Sequence, residues 1–225
     1  MNEILKEYHG LLTEVDQWFH RCLARSGDRV HCSAGCSGCC RGLFDITLLD
    51  AALLKAGFDR LAGGTRELVL DRCGERLAGM QRLWPDFAPP FILNYRPEEE
   101  WELLMPEDDE TPCPLLGADG RCLVYGFRPM TCRLHGLPLV DLTGEVHHDE
   151  WCTRNFVGAD PLADTGIRGD FPRIFREEVL LFRHFTRQLL GREFQELDTV
   201  IPTALLMDFT RFDWRHFAAG FGATP

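Results

Sequence analysis

The stretch HCSAGCSGCCRG, residues 31–42, places Cys32, Cys36, Cys39 and Cys40 close together, separated only by serine, alanine and glycine. Four further cysteines, Cys113, Cys122, Cys132 and Cys152, follow downstream. Thiolates are ligands for zinc and for iron–sulfur clusters, and a closed site takes about four of them. These eight cysteines can therefore fill two sites. Gly35 and Gly38 suit a tightly wrapped loop, because glycine takes positive φ without steric cost and so lets backbone N–H groups turn toward sulfur. Neighbouring side chains of an extended backbone point to opposite faces. Cys39 and Cys40 can thus serve separate metals, or one of them alone can ligate.

The two remaining cysteines read differently. Ile4, Tyr8, Leu11, Val15, Trp18 and Cys22 recur at steps of four and three, which predicts one face of an amphipathic helix. Leu70, Cys73, Leu77, Met80 and Trp84 repeat the pattern between Thr65 and Trp84. A free cysteine on an apolar stripe behaves as a small hydrophobe, so Cys22 and Cys73 are core positions.

The elements that must carry the other eight are short. GLFDITLLDAALLKAGF predicts a brief strand and then a helix from near Thr47, with Asp50 making its first turn acidic. The cysteine run is then a loop between two helical regions. In ETPCPLLGADGRCLVYGFRPMTCRLHG, the Asp119-Gly120 pair predicts a hairpin. Pro129 fits a first helical turn, which sets Cys132 near a helix N-terminus, where a thiolate is favoured. A second hairpin, turning at Thr143-Gly144, delivers Cys152. Phe171, Phe175, Val179, Phe182, Phe185 and Leu189 keep helical spacing up to Gly191, and TVIPTALLMDFTRFDWRHF predicts a last helix with Pro202 near its start. The fold class expected is mainly α with small β-hairpins (α+β). It is a single domain, 1–225, organised around a cysteine-ligated metal site spanning 32–152, with flanking helices over 1–26 and 170–218.

Composition excludes several function classes. With 225 residues and 45% hydrophobic content, the chain can bury a core without disulfide staples. A net charge of -11 and the acidic run Glu98–Glu110 oppose nucleic acid or an anionic membrane as partner, since both require clustered cations. The charged N-terminal segment has no signal-peptide pattern, and no apolar run approaches the roughly 18 residues of a membrane span. These features predict a cytoplasmic protein, where thiols stay reduced and ten cysteines suggest metal ligation before disulfides. No protein partner is indicated.

CSAGCSGCC, then CPLLGADGRCLVYGFRPMTCR, then Cys152, resembles the YkgJ-type cysteine-cluster family, described as a zinc- or iron-chelating domain with a CxxCxxCC signature. The resemblance rests on Cys113-Pro114, on Cys122 to Tyr125 and on Arg128 to Arg133, and spans Cys32 to Cys152. The first gap, Cys32 to Cys36, is one residue wider than the signature. The resemblance implies metal binding and no particular reaction.

Spacing leaves the metal open between zinc and iron, the latter with an iron–sulfur cluster as one form. His31, His135, His147 and His148 lie near cysteines in sequence and can substitute as ligands. Arg128 and Arg133 can offset thiolate charge, or can pair with the acidic run. An enzymatic alternative comes from Cys32-x-x-x-Cys36-x-x-Cys39, the spacing of radical S-adenosylmethionine enzymes, although Gly38 stands where those carry an aromatic residue and no barrel alternation is present. A softer variant is an iron–sulfur accessory domain for protein modification, loosely similar to flagellin lysine methylases. No catalytic residue can be named.

Overall fold

In the computed structural model, which describes residues 1–106 and 108–221, the N-terminal segment forms α1 (Asn2–Ser26) and the chain then passes through the cysteine loop into β1 (Asp45–Thr47). Next come α2 (Leu48–Phe58), α3 (Gly63–Leu83), the five-residue α4 (Met130–Leu134), β2 (Leu139–Val140) and β3 (Val146–His148). α5 (Phe171–Leu190), β4 (Asp198–Val200), α6 (Ile201–Leu206) and α7 (Trp214–Gly220) complete the order. The fold is mainly helical, with two small antiparallel sheets. No helix among the described residues is long and apolar enough to cross a membrane. Glu107, inside the acidic run, lies outside the described residues.

From Tyr8 to Cys22 the stripe on α1 is buried as its period requires, with Ile4 only half-buried, and the helix packs on α5 and α4. Trp18 anchors it: the indole N–H donates to the carbonyl of Ile167 across 2.8 Å, and the ring meets Phe171 edge-on. Cys22 and Cys73 are fully interior, and burial pushes both thiols up to about 12, so both are neutral near pH 7. Thr47 caps α2 by accepting the Asp50 N–H at 3.1 Å. The Asp50 side chain, however, points inward: its Oδ1 takes the Tyr8 hydroxyl at 2.8 Å and the Met130 N–H at 3.0 Å. Asp50 therefore ties α1, α2 and the start of α4 together.

Several expectations need correction. Leu70 is 36% exposed and Val69 is interior, because α3 meets α6, and its buried positions are Val69, Cys73 and Met80. Val179 is 45% exposed, and α5 buries Ile174 in its stead. The single last helix is three elements. β4 pairs with β1 in the register Asp45↔Val200, Ile46↔Thr199 and Thr47↔Asp198, and Asp208 then binds the N–H of Thr210 and of Arg211 in a turn that separates α6 from α7. The Asp119-Gly120 hairpin forms, but as one bridge, Leu116↔Cys122, without strands. The second hairpin is present as β2 and β3, turning through Gly144 at φ 96. Both sheets are two-stranded and antiparallel, so the described residues build no parallel barrel.

Candidate metal centre

The residues 33–40 fold as two consecutive tight turns. The Cys36 N–H donates to the Ser33 carbonyl at 2.9 Å, and the Cys40 N–H to the Ser37 carbonyl at 3.0 Å. Gly35 adopts φ 88, as expected of a turn glycine, whereas Gly38 stays outside the left-handed region because the second turn does not demand it. The tip of the 113–122 hairpin presses on this loop. A Cβ on Gly120, at φ 76, would lie 2.8 Å from the Gly35 carbonyl oxygen, so glycine is required there.

The loop is stitched to the downstream cysteines by main chain. Gly42 N–H donates to the Thr111 carbonyl and Cys113 N–H to the Cys40 carbonyl, each at 2.9 Å, around the antiparallel bridge Arg41↔Pro112. The bridged pair is of the non-hydrogen-bonded type, so the missing N–H of Pro112 costs nothing. Cys152 enters from the other side: its N–H reaches the Gly136 carbonyl at 3.4 Å.

Two sets of thiols result. Cys40 has Cys113, Cys132 and Cys122 as electrostatic neighbours, and Cys132 in turn has Cys113 and Cys122. Cys32 has Cys36, Cys152 and Cys39. By this electrostatic proximity the eight loop cysteines fall into four and four, with Cys39 and Cys40 at the seam, where Cys39 donates its S–H to Cys40. That hydrogen bond pulls the Cys40 thiol below its ordinary value and, with burial, pushes Cys39 up.

The inner set, Cys40, Cys113, Cys122 and Cys132, is the more enclosed. Burial pushes Cys113 up to about 11 and Cys132 well above the ordinary thiol range. The helix-terminus argument for a free Cys132 thiolate is therefore outweighed by desolvation. Two amides already point at sulfur: Leu115 N–H toward Cys113 and Val124 N–H toward Cys122, each pulling its thiol down. Amides aimed at sulfur in this way offset the charge of a metal-bound thiolate. Behind them Arg128 and Arg133 favour the charged form of Cys122. Both guanidinium groups bind Asp16 of α1, Arg128 at 3.3 Å, and not the acidic run. The acidic run instead gives Asp109 to Arg76 and Glu110 to Arg41.

The outer set is held by Asn155, a residue that sequence spacing did not single out. Asn155 is 2% exposed; its Nδ2 donates to the Gly136 carbonyl at 2.7 Å and lies 3.5 Å from Cys32 Sγ, while its Oδ1 accepts the His31 N–H at 2.9 Å. Its own N–H donates to the Cys152 carbonyl at 2.8 Å. The only legible trace is its position three residues after Cys152.

The histidines do not join the thiols as a compact group. His147 lies with Asp141 and Glu145, their ligand atoms within 4.8 Å of one another. Asp141 there is occupied by its turn, accepting from Thr143 N–H at 2.8 Å and Glu145 N–H at 2.9 Å. Among the described residues, no three cysteine sulfurs lie within 4.8 Å of one another. A single zinc with Zn–S of about 2.3 Å requires sulfur–sulfur edges of about 3.8 Å, tighter than either set. A polynuclear group interposes several metals and holds its thiolates farther apart. The donor set is all thiolate, which suits zinc and iron alike.

Compared with family models, with curated proteins and with solved structures, the chain has no match in any of the three.

Proposed function

We propose that this protein is a cysteine-cluster metal protein carrying two centres of iron–sulfur type, an outer one on Cys32, Cys36, Cys39 and Cys152 and an inner one on Cys40, Cys113, Cys122 and Cys132. The observation that carries the reading is the convergence of two cysteine runs, far apart in sequence, into two neighbouring sets of four thiols. The resemblance to YkgJ-type chelating domains agrees with it. A donor set made of cysteines alone is the usual holder of iron–sulfur clusters. When bound, such clusters would supply electron transfer; the inner set, enclosed and amide-bonded, suits a structural or electron-storing role, and the outer set a redox-reactive one.

The test is anaerobic purification followed by visible spectroscopy and assay of iron, zinc and acid-labile sulfide. A brown protein with iron and sulfide in equal amounts supports the reading. A colourless protein holding stoichiometric zinc in both sets replaces it with a zinc-chelating one, and a metal-free protein overturns it.

A further inference from the structure

The two sets differ in access. Cys36 opens into a cavity of about 490 Å³ lined by Ser33, Ser37, Arg41 and Arg154, whereas Cys113, Cys122 and Cys132 do not line it. The Arg154 Nη1 stands 3.8 Å from Cys36 Sγ. Among the described residues, no carboxylate lies within ion-pairing distance of Arg154, in a chain with 35 acidic and 24 basic residues. Arg41, which also lines the cavity, is oriented by the Glu110 carbonyl at 2.9 Å and its carboxylate at 3.4 Å, the latter side chain being 85% exposed and so a weak competitor. A guanidinium offers a planar fork of donors matched to carboxylate and phosphate oxygens. Two of them, with two serine hydroxyls, form a cationic wall in an otherwise acidic protein.

We infer that this cavity binds a small anionic ligand, an oxyanion or a carboxylate-bearing molecule, held by Arg154 and Arg41 against the Cys36 side of the outer set. Its placement beside a reactive centre rests on the function proposed above; the anion site itself does not. Arg154 has one competing role, that of offsetting the charge of a metal-bound Cys36.

The experiment uses the full chain, purified without oxygen, titrated by calorimetry with inorganic phosphate and, separately, with malonate, beside an iron assay on the same sample. Saturable binding of either probe is expected, weakened about tenfold or more in Arg154→Gln, as loss of a charge-assisted hydrogen bond implies, and weakened in Arg41→Gln with iron content unchanged. No saturable binding by the iron-loaded protein overturns the inference. So does binding that is unaltered in both variants, or an Arg154→Gln protein that loses iron and keeps its affinity. Binding by a protein that contains no metal supports the anion site while removing the proposed function, so the two ideas fail separately.

Discussion

The Cys113 amide donates to the Cys40 carbonyl across 2.9 Å and, together with the Gly42 N–H on the Thr111 carbonyl, joins the two cysteine runs of the chain. The geometry brings Cys40 into the company of Cys113, Cys122 and Cys132, and leaves its sequence neighbour Cys39 at the edge of the other set. The seam between the sets falls at Cys39 and Cys40, adjacent in sequence and joined by the Cys39 S–H.

From that division comes a metal-stoichiometry prediction. Cys36→Ala is expected to lose roughly half the iron, Cys132→Ala the other half, and the double variant nearly all, as two separate four-thiolate centres require. Cys22→Ala and Cys73→Ala remove a sulfur from packed apolar sites and are expected to cost about 1 kcal/mol each while keeping the metal. Iron per chain and melting temperature for each variant check both statements. A single centre would show itself by complete loss in either single variant.

Stability is expected to fall as pH rises through neutrality. The Tyr8 hydroxyl lies 2.8 Å from Asp50 and 3.0 Å from Glu178, yet it has one hydrogen to give. Asp50 also accepts the Met130 N–H, so Glu178 is the carboxyl that keeps its own proton and donates it. Burial pushes Glu178 up to about 8 and Asp50 up to about 6. An acid whose folded pKa is raised above the roughly 4.3 of an unfolded glutamate contributes fully below that value and loses its contribution as pH climbs toward 8. Glu178→Gln, which retains a donor and cannot ionise, is expected to melt above the parent at about pH 8.5 and close to it at about pH 5. Melting curves across that range decide it; parallel curves for both proteins would mean that Glu178 is charged in the folded state.

Asp16 is expected to matter beyond a surface residue. It binds both Arg128 and Arg133, and the Arg133 side chain is 1% exposed. Removing the carboxylate in Asp16→Ala leaves the buried Arg133 guanidinium with carbonyl partners and no counter-charge, and should cost about 2 kcal/mol, the scale of a charge-assisted bond to a buried partner. Denaturant unfolding of the metal-free chain measures it without interference from metal affinity.

Gly57 is a packing constraint on the inner set. A Cβ there would fall 2.6 Å from the Phe127 Cβ, and Phe127 stands three residues before α4, the helix that carries Cys132. Gly57→Ala is expected to displace the ring from Arg60, which lies 4.8 Å over it, and to destabilise by about 1–3 kcal/mol as overpacking does. Chelator-driven release of iron should be faster in this variant from the inner set than from the outer one, measured in the Cys36→Ala and Cys132→Ala backgrounds.

What the sequence determined by itself was local. The steps of three and four placed Tyr8, Trp18 and Cys22 on one buried face of α1 and set Cys73 apart from the loop cysteines, because helical period is a property of consecutive residues. Turn chemistry likewise marked Gly120 and Gly144, both at positive φ. Only the tertiary structure decided which thiols meet, since Cys40 joins Cys113 through a bridge between segments about seventy residues apart. It also decided that Asp50 turns inward to Tyr8, that Arg128 and Arg133 choose Asp16, that Asn155 clamps Cys32, and that β4 pairs with β1 where a helix was expected. Each of these is a choice among partners of similar chemistry, made by which surfaces the helices bury together, and burial of that kind is a sum over the whole chain that no short window contains.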